Sequence, residues 1–154
     1  MPVVECHDVK NTTKKSYGEV KFTQGISLFD ALDVLTQRKM NSVVPLTFEK
    51  LDLDYGFILY EKEINQTGYL NLNNVNDRAN IYLNKDYVAT LQRNGGVHIK
   101  STGLLDILVE NEGRINYGGM FDEVKGLYQG VKLDDVELKN WNHFGFNWSN
   151  VNEI

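Results

Sequence analysis

From Pro45 onward the chain lacks helical periodicity; Asn and Gly cut it every few residues into short apolar runs. That rhythm restricts the fold more than any other feature, because runs of this length can bury their side chains only by pairing as strands. Phe57-Ile58-Leu59-Tyr60 is apolar at consecutive positions, the pattern of a central strand covered on both faces. Ala79, Ile81 and Leu83 alternate with Asn80, Tyr82 and Asn84, which predicts a half-buried strand. A turn at Asn84-Lys85-Asp86 leads into Tyr87-Val88-Ala89-Thr90-Leu91 and makes a hairpin of the two runs. Asn94-Gly95-Gly96 predicts a second turn, followed by strands over 97–99, 104–110 and 130–138. Short strands at regular spacing predict an all-β fold, a β-sandwich or jelly roll, over residues 45–154.

Residues 1–44 read as a linker segment with a polar leader. Within it Leu28, Ala31, Leu32 and Leu35 fall on one helical face and Ser27 suits the N-cap, so one short helix is expected. The 154 residues, 42% hydrophobic, suit a single globular domain, with no repeat or low-complexity tract. A net charge of −5 excludes the basic face that a nucleic-acid partner requires, and Lys14-Lys15 is read as a solvated pair. No apolar run approaches the roughly 18 residues of a membrane span, so no membrane partner is expected. The opening MPVVECHDVK lacks the apolar region of a signal peptide, and the chain reads as soluble. Cys6 is the sole cysteine and excludes an internal disulfide; the adjacent Glu5-Cys6-His7-Asp8 cannot supply converging metal ligands. No glycine loop ahead of a helix cradles a phosphate, so neither metal nor cofactor is expected. Asn11, Asn65 and Asn147 open Asn-X-Ser/Thr sequons and are glycan acceptors if the chain is exported.

The chemistry-bearing stretch is VENEGRINYGG, Val109 to Gly119. Leu105, Ile107 and Val109 share one face of the strand that leads to it, and Leu104 and Leu108 make the other face apolar. Gly113 offers the positive φ that a tight corner needs. Arg114 can fork onto a carboxylate such as Glu110 or Asp77, or onto unpaired carbonyls at the sheet edge. Asn116 can satisfy backbone groups in the turn. Gly118-Gly119 permit close backbone approach, and Tyr117 between the glycines faces outward toward a ligand. The cluster suits either a hydrogen-bonded structural corner or a rim that meets sugar. Asp77-Arg78 reads as an ion pair at the start of a strand. His98 has no second His beside it and reads as a lone, satisfied ring. His143 lies in WNHFGFNW, Trp141 to Trp148, whose aromatics suit a closing hydrophobic strand or sugar-stacking platforms. A retaining glycosidase needs two carboxyl groups about 5–5.5 Å apart. No acidic pair is marked out for that role, and Asp134-Asp135 at adjacent strand positions would point to opposite faces. No catalytic residue is therefore expected.

YGFILYEKEI, VNDRANIYLNKDYVATLQRN, LDILVENEGRINYG and the following KGL together resemble the first all-β domain of family 35 β-galactosidases. YGEVKF, FDALDVL and VVPLTFEKL resemble the stretch joining that family's catalytic barrel to this domain, so the likeness runs from about Tyr17 to Trp141. GRINYG is its most specific motif. The resemblance implies a non-catalytic accessory domain of a retaining exo-β-galactosidase, packed on a TIM barrel and a second β-domain. It also implies that Tyr117 approaches the mouth of the galactose pocket, with galactosides as the ligand and a lysosomal or secreted parent. A free-standing lectin-like module, using Tyr117, Trp141 or Trp148 against sugar, and an inactive truncated fragment are the alternatives.

Overall fold

The computed structural model describes residues 11–146 and 148–154. Nine antiparallel strands carry the described fold: β1 (Thr36–Ser42), β2 (Gly56–Ile64), β3 (Gly68–Leu83), β4 (Asp86–Ile99), β5 (Gly103–Asn111), β6 (Gly126–Leu127), β7 (Val131–Leu133), β8 (Val136–Glu137) and β9 (Trp141–Phe146). They pair in the order β1-β9-β2-β5-β3-β7-β8, with β4 and β6 also bonded to β3. The leading stretch of β3 pairs with β7 through Leu70–Leu72, and its trailing stretch pairs with β5 from Arg78 to Leu83. Register breaks between Leu72 and Arg78 separate the two stretches. Bulges of this kind bend a strand and raise its twist, so β3 passes from one layer to the other and the sheet curls over itself as a β-sandwich.

The side chains that drive this curl alternate as a strand must. Ile58 and Tyr60 of β2 face inward with Leu70, Leu72, Leu105 and Ile107. Phe57 and Leu59 face outward into a second cluster with Leu108, Phe144 and Phe146. Ala31 and Leu35 close over that outer cluster, packed together with Leu28, Phe29 and Leu32. Both faces of β2 are thus covered, which is why Phe57–Tyr60 is apolar throughout. Each fully buried aliphatic contributes about 1.5–3 kcal/mol relative to exposure.

Three local expectations change. The run from Ser27 is mostly turn: Phe29 N–H donates to Ser27 Oγ at 3.2 Å, and Asp30 and Ala31 N–H both donate to the Ser27 carbonyl. Only α1 (Leu32–Leu35) is helical, and at Thr36 pairing with β9 takes over. Asn94-Gly95-Gly96 is not a turn but the middle of β4. A Cβ on Gly96 would sit 2.5 Å from the Leu70 carbonyl oxygen and 2.6 Å from the Tyr69 ring, so this glycine permits close strand approach. Asp134-Asp135 forms the β7–β8 turn, where Asp134 Oδ1 accepts the Tyr69 N–H at 2.8 Å. By contrast the Asn84-Lys85 hairpin has both residues at positive φ, 53° and 70°, as a two-residue turn of primed type requires.

Candidate functional site

The stretch after β5 forms a loop whose two stems are tied by charge. At its centre Lys125 is buried, with 1% of its surface exposed. Its Nζ donates to Asp77 Oδ1 and Oδ2, both at 2.9 Å, and to Glu123 Oε2 at 2.8 Å. Burial alone would lower its pKa, but the bonds to Glu123 and Asp77 outweigh it and hold the ammonium above its ordinary range. Glu123 also receives Arg93 at 3.3 Å. On the near side Arg114 Nη1 pairs with Glu49 and donates to the Glu123 carbonyl at 3.1 Å. The Glu49 carboxylate additionally accepts the Lys125 backbone N–H at 3.1 Å. Burial would raise the Glu49 pKa, yet Arg114 and the surrounding donors keep it below the usual carboxylate value. Three cations, Arg93, Arg114 and Lys125, therefore meet three anions, Glu49, Asp77 and Glu123.

Backbone groups complete the stems. Glu112 N–H donates to Asp77 Oδ2 at 2.9 Å, and Gly113 N–H to Asn111 Oδ1 at 3.0 Å. Asn76 Nδ2 donates to the Val124 carbonyl, and Phe48 N–H to the Lys125 carbonyl. Gly113, Gly118 and Gly119 have φ of 111°, 83° and 80°, and a Cβ on any of them would meet nothing within 4 Å. Within the described residues, backbone conformation and not crowding is what these glycines satisfy. Beyond the stems the loop projects Tyr117, 87% exposed, with Phe121 at 67% and Met120 at 60%.

The structure rearranges the partners expected at this corner. Arg114 takes Glu49 of the 3-10 turn Glu49–Leu51 rather than Glu110 or Asp77. Asp77 is already filled by Lys125, and Glu110 lies directly across from Arg78, 3.9 Å away. Asp77 and Arg78 are accordingly not paired with each other; as adjacent strand residues they serve separate partners. Asn116 is exposed, and among the described residues its side chain bonds no backbone group. Sequence reasoning missed Glu49, Glu123 and Lys125. The alternation Glu123-Val124-Lys125, an acid and a base two apart just before the buried β6, was the available signal.

Elsewhere Trp141, Phe144 and Phe146 are buried, so most of WNHFGFNW closes the core. His143 is buried as well. Leu46 N–H donates to its Nε2 at 3.0 Å, which leaves Nδ1–H to donate to the Met40 carbonyl at 3.0 Å. Burial lowers its pKa and keeps the ring neutral. His98 is exposed on β4 and meets Tyr69 edge to face at 5.0 Å. Trp148 is 42% exposed and lines a cleft of about 230 Å³ with Tyr55, Asp52 and Gln37. Asn11 and Asn65 are exposed; Asn147, Cys6 and His7 lie outside the described residues. No group of described His, Cys, Asp or Glu residues is arranged to hold a metal, and no described helix is long and apolar enough to cross a membrane.

Residues 45–147 match the family model described as β-galactosidase, first all-beta domain. β-Galactosidase 1 of Dictyostelium discoideum is 31% identical over 159 residues, covering 87% of this chain and 24% of that protein. Human β-galactosidase is 34% identical over 145 residues, covering 87% of this chain and 21% of its own length. The mouse protein is 31% identical over 149 residues, covering 89% of this chain and 23% of its own length. The chain thus spans about a fifth to a quarter of the relatives it matches. With the family match running across the β-sandwich and its charged corner, this chain belongs to the family of the first all-β domain of β-galactosidase.

Proposed function

We propose that this chain acts as a non-catalytic domain of a longer family 35 β-galactosidase that removes terminal β-galactosides with retention. It packs on the catalytic TIM barrel and a second β-domain and lends Tyr117 to the rim of the galactose pocket. The parent is lysosomal or secreted. One observation carries this reading. An almost fully exposed tyrosine, followed by exposed Met120 and Phe121, stands on a loop whose base holds six charges in two ion-paired groups. Apolar surface displayed on so defined a base marks an interaction site.

The test is Tyr117→Ala in a full-length β-galactosidase carrying this domain. A ring at the rim positions substrate and moves no proton, so kcat/KM should fall roughly tenfold to a hundredfold, about 1–3 kcal/mol, at unchanged melting temperature. Normal kinetics would remove Tyr117 from the site. A second reading, a free-standing galactoside-binding module, is favoured by the cleft between Tyr55 and Trp148. Saturation-transfer NMR of the chain with methyl β-galactoside separates the two: transfer lost in Trp148→Ala supports the module, and no transfer supports the accessory domain.

A further inference from the structure

We infer that Arg114 and Glu49 are positioning residues, a clasp that sets the angle at which the loop holds Tyr117. The inference rests on the rim role proposed for that ring. Among the described residues, no side chain from 115 to 122 hydrogen-bonds or ion-pairs with the body of the domain. The direction of the loop is therefore decided at its stems. The outgoing stem is fixed to β3 by the Glu112–Asp77 bond, and the returning stem by Lys125 and Asn76. Each of those contacts ties one stem to the body. Arg114 does something different: it sits on the outgoing stem and donates to the Glu123 carbonyl on the returning one. Glu49 closes the same circuit from outside, accepting both the Arg114 guanidinium and the Lys125 backbone N–H.

Burial divides the labour between the two ion-pair groups. The Lys125 ammonium and its carboxylates are almost wholly shielded, with side chains at 2%, 8% and 10% exposure. Arg114 and Glu49 are 41% and 36% exposed. A solvent-exposed pair adds little to stability because water screens it. Its geometric effect is undiminished, since a planar guanidinium bonding two acceptors holds both in a fixed relation. Loss of the clasp should thus free the loop while leaving the sandwich folded.

Two linked experiments test this. In the 154-residue chain, native-state chymotrypsin cleavage after Tyr117 and Phe121 reads loop freedom, and urea midpoints read the fold. Arg114→Ala and Glu49→Gln should each speed cleavage at least about tenfold with midpoints nearly unchanged, and Arg114→Lys should restore some of the resistance. In a full-length β-galactosidase carrying the domain, Arg114→Ala should raise KM more than it lowers kcat. Combined with Tyr117→Ala, it should cost no more than Tyr117→Ala alone, because both act through one ring. Unchanged cleavage in the chain, or additive losses in the enzyme, overturns the inference. If Tyr117→Ala is itself kinetically silent, the rim reading falls, and cleavage alone decides whether the clasp orders the loop.

Discussion

Asp77 and Asp106 sit on the neighbouring strands β3 and β5, and each is more than nine-tenths buried. Asp77 accepts the Lys125 ammonium with both oxygens and a backbone N–H besides. Among the described residues neither oxygen of Asp106 has a partner. Asp106 lies across from Glu61 on β2 and Tyr82 on β3, and Tyr82 packs edge to face on Phe29 at 5.3 Å. Burial first, and repulsion from Glu61 second, push its pKa up to about 7, against a smaller opposing pull from Lys85. A buried carboxyl that finds no donor holds its proton to a higher pH than one in water, whereas one that meets an ammonium has its charge compensated. In this sheet, burial alone does not decide the state of an acid. The donors brought by the next element do, and at the corner that element is the returning stem of the Tyr117 loop.

The largest test of this contrast is Lys125→Met. It leaves Asp77 and Glu123 buried with only the exposed Arg93 beside them, and breaking a buried pair in this way costs up to about 3–5 kcal/mol. A urea midpoint shifted by the equivalent of less than about 1 kcal/mol would erase the distinction between the two sites. Asp106→Asn comes next and is read through pH. The folded pKa lies above the unfolded value of about 3.9, so the native state binds the proton more tightly. The stability that Asp106 contributes is complete below pH ~4 and is lost as pH rises toward about 7. The amide cannot ionise, so the advantage of the variant over the native chain should grow across that window by roughly 2–4 kcal/mol. An advantage that stays constant between pH 4 and pH 8 would mean that Asp106 is ionised throughout. Smallest is Arg114→Ala, whose partly exposed pair with Glu49 should be worth about 0–1 kcal/mol in the urea midpoint. A cost near that of Lys125→Met would merge the clasp with the buried cluster and end the separation of roles.

The layered β-architecture could be read from alternation because burial on one face repeats every second residue along a strand. The Asn84-Lys85 turn could be read because its backbone angles favour residues that tolerate positive φ. Strand β1 was hidden: TQRKMNS is polar, and as the sheet edge it is held by backbone bonds to β9 that leave no apolar pattern. Asn94-Gly95-Gly96 misled because glycine serves close strand approach as readily as reversal. At the corner, the positive φ of Gly113, an ion-pairing Arg114 and the exposure of Tyr117 were recognisable from local chemistry. Glu49 and the buried role of Lys125 were not, since Glu49 stands 65 positions from Arg114 and Lys125 stands 48 from Asp77. Contacts across such distances are created by the curl of the sheet, which no local window contains.

The pairing of β1 with β9 governs how the domain bears load. Thr36, where the described chain joins the sheet, lies opposite Phe146, where it leaves. Tension applied to the chain outside these two points would first peel residues 28–35 from the outer cluster and then pull across the ladder rather than along it. Hydrogen bonds loaded in that direction break singly, from the Thr36–Phe146 end toward Ser42–Trp141. The sandwich is thus mechanically soft at that edge. The corner bearing Tyr117 springs from β5, separated from β9 by β2, and stays clasped while the edge opens.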